Sequence, residues 1–110
     1  MLYIEGNTIR LTRGDTAYLT VPIRLATDEE YIMDKGDTLI LSVKKSLRDE
    51  TYAFQKRVEG ENTIHIEPID TEHMEFGKYK YDLQLNTSGG DVFTLIEVDT
   101  FELLPEVTRT

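Results

Sequence analysis

The groups that could do chemistry in this chain are two histidines, four clusters of carboxylates and six tyrosines. His65 and His73 are eight residues apart with Pro68 between them. A zinc or iron site needs such imidazoles to converge with a carboxylate, and His65 should point outward from its strand. The carboxylates fall at Asp28-Glu29-Glu30, at Asp34 with Asp37, at Asp49-Glu50 and at Glu59 with Glu61. None of these has the spacing of a calcium loop. A glycosidase pair would need a groove to hold the sugar, which spacing alone does not supply. There is no His-Glu-x-x-His, no Gly-x-Ser-x-Gly and no glycine-rich phosphate loop, and Gly89-Gly90 reads as a hairpin turn. Without cysteine there is no thiol nucleophile, thiolate metal site or disulfide. The expectation is a chain that is not an enzyme and takes no metal or cofactor.

The tyrosines could instead make contacts. Tyr18 opposes the apolar face of its own strand, so its ring should be exposed. Tyr3, Tyr31 and Tyr52 are the other candidates for exposed aromatic contacts with a sugar or a protein. Tyr79 and Tyr81 alternate in step with Leu83 and Leu85, which places them on a buried face. Tyr79 follows a short connecting turn and Gly77. That is the setting of the tyrosine corner in immunoglobulin-like domains, where the hydroxyl bonds back to the upstream backbone. Tyr81 then stands where antibody domains carry a core cysteine, and its hydroxyl needs a partner. The other reading of the pair is a stripe of exposed aromatics.

The elements that position these residues have a period of two. Thr8–Thr12 alternates, Arg13-Gly14-Asp15 turns, and Thr16–Leu25 has Ala17, Leu19, Val21, Ile23 and Leu25 on one face. Pro22 cannot donate to a ladder, so that strand lies at an edge or bulges there. Tyr31–Met33 is a short strand candidate. Thr38–Lys44, Tyr52–Val58 and Thr63–Glu67 follow as strands. Over 70–75 the spacing predicts one helical turn, with Asp70 or Thr71 as its N-cap. Lys78–Asn86, a turn at Thr87–Gly90, and a long final stretch Asp91–Leu104 complete the chain. Turn signals recur about every ten residues. The fold expected is all-β: a single immunoglobulin-like antiparallel β-sandwich domain over 1–110, of seven to nine short strands. The edges should be Leu2–Ile4 and the region of Pro22.

Bulk properties narrow the partners. With 110 residues the chain can bury a real core. Twelve basic against 21 acidic residues leave a net charge of −9, which argues against nucleic acid and anionic membranes. The basic clusters, Lys44-Lys45 and Lys56-Arg57, are short. No signal peptide is visible at the N-terminus, and no apolar run approaches the roughly eighteen residues of a spanning helix.

Taken in order, several stretches look familiar together. They are Ile9–Thr16, with Gly14 and Asp15; Asp37-Thr38-Leu39, leading to Val43-Lys44-Lys45; Pro68-Ile69-Asp70-Thr71; Gly77-Lys78-Tyr79-Lys80-Tyr81-Asp82-Leu83-Gln84-Leu85; Thr94; the Phe101 strand; and Glu106-Val107-Thr108. This series resembles the N-terminal domain of phage baseplate upper proteins and their prophage relatives in Gram-positive bacteria, over nearly the whole chain. The resemblance implies a β-sandwich that serves as a structural part of a phage tail or baseplate. Its partners would be other tail or baseplate proteins, with a homo-oligomer possible, and it would be made in the bacterial cytoplasm and end in the virion. The matching positions, Gly14, Asp15, Asp37, Asp70, Thr71, Gly77, Tyr79, Tyr81 and Asp82, are scaffold rather than chemistry. The chain departs from the family by stopping at Thr110, without a receptor-binding extension. The resemblance then implies a stand-alone adaptor or a protein working beside a separately encoded partner. The rival expectation is a carbohydrate- or cell-surface-binding β-sandwich module.

Overall fold

Eight strands and one helical turn form the chain in a computed structural model that describes residues 2–24 and 27–108, with side chains for all of these except residues 3–5. The strands are β1 (Leu2–Glu5), β2 (Thr8–Thr12), β3 (Ala17–Thr20), β4 (Thr38–Lys44), β5 (Phe54–Glu59), β6 (Thr63–Ile66), β7 (Gly77–Asn86) and β8 (Val92–Leu104). The helix, α1, is Pro68–Thr71. A six-stranded sheet runs β1-β2-β8-β7-β4-β5, and β3 pairs with β6 in a second sheet.

The class is all-β, but the pairing is not wholly antiparallel. β2 and β8 run parallel, with Ile9 opposite Phe101 and Leu11 opposite Leu103. Parallel neighbours need a long connection between them, and here the rest of the chain supplies it. The alternation read in the sequence sets the burial. Leu39, Leu41 and Val43 of β4, and Tyr79, Tyr81, Leu83 and Leu85 of β7, are all buried. They join Ile9, Leu11, Phe101 and Leu103, and Leu19, Ile64 and Ile66 from the small sheet, in one core. Phe101 is at its centre, with Phe54 and Tyr81 meeting it edge-on at centroid distances of 5.6 and 6.4 Å. Such contacts add about 0.5–1.5 kcal/mol each beyond area burial.

Most strand ends fall within one or two residues of expectation, and the larger differences lie at β3, at residues 31–33 and at the helical turn. β3 stops at Thr20 although Val21 and Ile23 remain buried. Pro22 has no N–H to give, and β6 begins only at Thr63, opposite Thr20. Asn62 takes over: its carbonyl accepts from Val21 N and its side chain donates to Val21 O, both at 2.9 Å. The expected Leu25 position lies outside the described residues. Residues 31–33 form no strand; the preceding Glu30 makes an isolated bridge with Arg24. The helical turn begins at Pro68, earlier than expected, with Glu67 as N-cap, because proline is pre-organised for the first helical position. Asp70 is therefore the third helical residue and not the N-cap, and its carboxylate reaches back to accept from Glu67 N at 2.8 Å as part of a capping box.

Candidate functional site

The buried tyrosines are tied to the backbone. The Tyr79 hydroxyl donates to Glu75 O at 2.6 Å, four residues upstream, closing a corner. Gly77 begins the strand at φ +138°, a conformation that favours glycine. Lys45 Nζ lies 4.6 Å from the Tyr79 ring centroid. The Tyr81 hydroxyl donates to Asn7 O in the β1–β2 turn. Burial, and then the charge of Asp99, push its pKa up to about 12.

Two further ties involve buried polar residues. Thr71 is fully buried and its Oγ1 accepts from Gly14 N at 2.9 Å. Gly14 adopts φ +81° to make that turn. Next to it, Arg13 grips the Glu106 carboxylate through Nε and Nη2 at 2.6–3.1 Å and donates to Met74 O at 3.0 Å. Asp37 is the other fully buried polar residue among those described. Its carboxylate accepts from the Tyr31 hydroxyl at 2.5 Å, from Asp34 N at 2.9 Å and from Ser88 N at 2.9 Å. These donors, the Tyr31 hydroxyl first, hold its carboxyl below the usual range. Gly36 packs so close to Ser88 that a Cβ there would lie 2.8 Å from Ser88 Cβ. The loop 31–37 and the β7–β8 hairpin are thereby locked together.

Of the four tyrosines expected to be exposed, the three with described side chains do not make one strip. Tyr18 is 64% exposed on β3, with its ring stacked on His65 at 4.5 Å. Tyr52 is 49% exposed before β5 of the other sheet, 5.3 Å from Lys44 Nζ. Tyr31 is half-buried and spends its hydroxyl on Asp37, so it is a structural residue and not a free aromatic contact. The side chain of Tyr3 lies outside the described residues. His65 is 3.9 Å from Glu67, and His73 is not drawn to it. Of the scaffold positions, Asp70 pairs with Lys56 at 3.0 Å, and Asp82 lines a cleft on the outer sheet face with Lys80 and Gln84. Asp15 N closes the turn on Thr12 O at 3.1 Å.

Among the described residues one concavity, of about 280 Å³, lies over the Arg13–Glu106 pair and Gly14, and two others lie elsewhere on the surface. The first is that outer cleft, of about 300 Å³, over β4, β5 and β7; Tyr52, Arg57 and Asn86 also line it. Asn86 Oδ1 is buried and has no hydrogen-bond partner among the described residues. The second is an apolar groove of about 590 Å³ beside the hairpin, between Ile23, Arg24 and Tyr31 on one side and Leu85, Phe93 and Leu95 on the other. Phe93 is directly opposite buried Leu85 in the ladder. It therefore faces inward, yet it is 52% exposed.

The same strand has an open edge. β2 covers β8 only from Phe101 to Leu104, so residues 92–98 have β7 on one side and, among the described residues, no strand on the other. Val92 and Val98 are exposed along it. The sequence reading placed edges at Leu2–Ile4 and Pro22 and missed this one. The signal was available in Val92-Phe93-Thr94-Leu95-Ile96, which is apolar on both faces where a strand with one buried face should alternate. Compared with protein families, characterised proteins and solved structures, the chain matches none.

Proposed function

We propose that this chain is an immunoglobulin-like sandwich acting as a structural component of a phage or prophage tail or baseplate, through protein–protein contacts and without catalysis. The observation that carries the contact role is the open end of β8, where inward-facing Phe93 is half exposed beside an apolar groove. An apolar patch on a sheet edge is a ready template for another chain. The Tyr79–Glu75 corner supports the immunoglobulin-like reading, and the ordered motif series supports the phage setting. Tails or baseplates purified from the encoding phage should contain the chain as a stoichiometric component by mass spectrometry. Its absence from such particles, or a gene far from any phage cluster, refutes the reading.

A carbohydrate-binding role is the second reading. It is favoured by the outer cleft, where the exposed Tyr52 ring stands beside polar groups that include Asn86 with its unpartnered Oδ1. A glycan array without hits removes it.

A further inference from the structure

We infer that the open edge of β8 accepts an extended apolar segment of another protein flanked by lysine or arginine, which adds as a strand beside Val92–Leu95 and drops apolar side chains into the groove. The inference deepens the protein-contact reading above and rests on it.

The geometry supplies the mode. From Val92 to Thr94 the strand keeps regular register with Asn86 to Gln84. Beyond Thr94 it bulges, since Leu83 meets Ile96 and Tyr81 meets Asp99, which adds two residues to β8. Bulges bend a strand and blunt its edge, so the pairable stretch is the first four residues. There the backbone edge runs alongside the groove, and Phe93 and Leu95 form one of its walls. Main-chain bonds to the edge with alternate side chains seated in a pocket are the pattern of β-strand addition. The opposite wall is held in place, because Tyr31 is pinned through Asp37 to Ser88 in the hairpin. An incoming strand meets a fixed groove and loses little by ordering it.

Charge selects the occupant. Asp91 and Glu97 bracket the edge, and Asp28-Glu29-Glu30 lies in the loop between Arg24 and Tyr31. Arg24 is the one charged side chain among the described residues lining the groove, and its Nη1 already donates to Asp28 O at 3.3 Å. A second copy of this chain fits poorly. A two-fold pairing about Leu95 sets Asp91 against Asp99 of the other copy, and one about Thr94 sets Asp91 against Glu97. Pairing about Ile96 places Glu97 opposite Leu95 and Asp99 opposite Phe93, and pairing about Phe93 opposes no like charges, but each of these still brings together two chains of net charge −9. Like charges directly opposite destabilise a ladder. A segment with apolar residues along the pairable stretch and a basic residue on each flank, one beside Asp91 and the other reaching past the bulge towards Glu97, satisfies both the charge and the groove.

The test uses the full chain and the capped peptide Lys-Thr-Phe-Thr-Phe-Thr-Lys, which reads the same in both directions and so presumes no strand polarity. Its counterpart carries Glu at both ends. Amide NMR of the labelled protein should show slowed hydrogen exchange at residues 92–95 with the lysine peptide. That peptide should bind about tenfold more tightly than the glutamate one at low salt, as two surface charge pairs allow, and the gap should narrow in high salt. The double variant Asp91→Lys with Glu97→Lys changes two exposed residues and should reverse the preference. Phe93→Lys should abolish binding while the circular dichroism of the fold is kept. Equal binding of the two peptides, protection elsewhere, or a concentration-dependent dimer protecting the same amides would each overturn the inference. A chain that passes these tests but is missing from purified particles leaves the edge assignment standing and removes the baseplate reading alone.

Discussion

Replacing Tyr79 by phenylalanine removes one oxygen and tests the corner that starts β7. The ring is almost fully buried and its hydroxyl donates to Glu75 O at 2.6 Å. Burial raises its pKa, with the charge of Glu75 second, so the hydroxyl has left water and depends on that one acceptor. Phenylalanine keeps the ring, its packing and the nearby Lys45 ammonium. What is lost is one hydrogen bond, net about 1 kcal/mol, together with part of the penalty for a carbonyl left without its donor, for a total of about 1–2 kcal/mol. For a domain of this size that lowers the melting temperature by about 4–8 °C. Urea unfolding followed by circular dichroism should show a lower midpoint with an unchanged slope, as expected when native stability alone changes. Tyr52→Phe, at a ring half open to solvent, is the control and should move the midpoint very little. Equal shifts for the two variants, or no shift for Tyr79→Phe, would refute the corner as a stabilising contact.

Other perturbations follow from the same ties. Asp37 has a depressed pKa, chiefly from the Tyr31 hydroxyl; its contribution is complete above the unfolded value of about 4 and is lost as pH falls through the lower folded value. Acid titration of wild type and Asp37→Asn should therefore converge in stability at the low end, and an Asp37→Asn variant with the wild-type acid profile would contradict this. Tyr81 and Tyr31 both have pKa values raised to about 12, by burial in the first case and by the bond to Asp37 in the second. Their contribution is complete below about pH 10 and is lost as pH rises towards 12, so wild-type stability should fall over that window and fall less steeply in Tyr81→Phe; equal slopes in urea unfolding at successive alkaline pH values would contradict it. Thr71→Val leaves Gly14 N without its acceptor and should cost about 1–2 kcal/mol in urea unfolding, with Thr71→Ser costing less.

Much of the fold could be read from residue types. Period-two alternation identified the buried faces of β4 and β7, because one face of each meets a single shared core. Tyr79 and Tyr81 were legible as buried for the same reason. The parallel pairing of β2 with β8 was not, since side-chain alternation is the same in either strand polarity. Tyr31 looked free because its partner, Asp37, is met through a turn rather than along a strand. The open edge of β8 was hidden because it depends on where β2 ends, which is a property of two segments far apart in sequence. The pattern in 92–96 carried the hint, but a strand apolar on both faces usually means one that is covered on both.

That distant pairing also orders events in time. Arg10 and Glu102, neighbours across β2 and β8, are separated by 92 positions in the chain. Hairpins such as β4–β5 and β7–β8 close short loops and can form within microseconds of the segment being available. β2 cannot take its place in the sheet until β8 has been made, and β1, paired with β2 in a tight hairpin, reaches the sheet only with it. During synthesis at about 5–20 residues per second, the edge of β2 that will meet β8 stays open for about 5–20 s while the middle of the sheet assembles. Folding should therefore end with the β1–β2 hairpin docking onto a preformed β8-β7-β4-β5 sheet. In pulse-labelled exchange, amides of residues 8–12 should gain protection last.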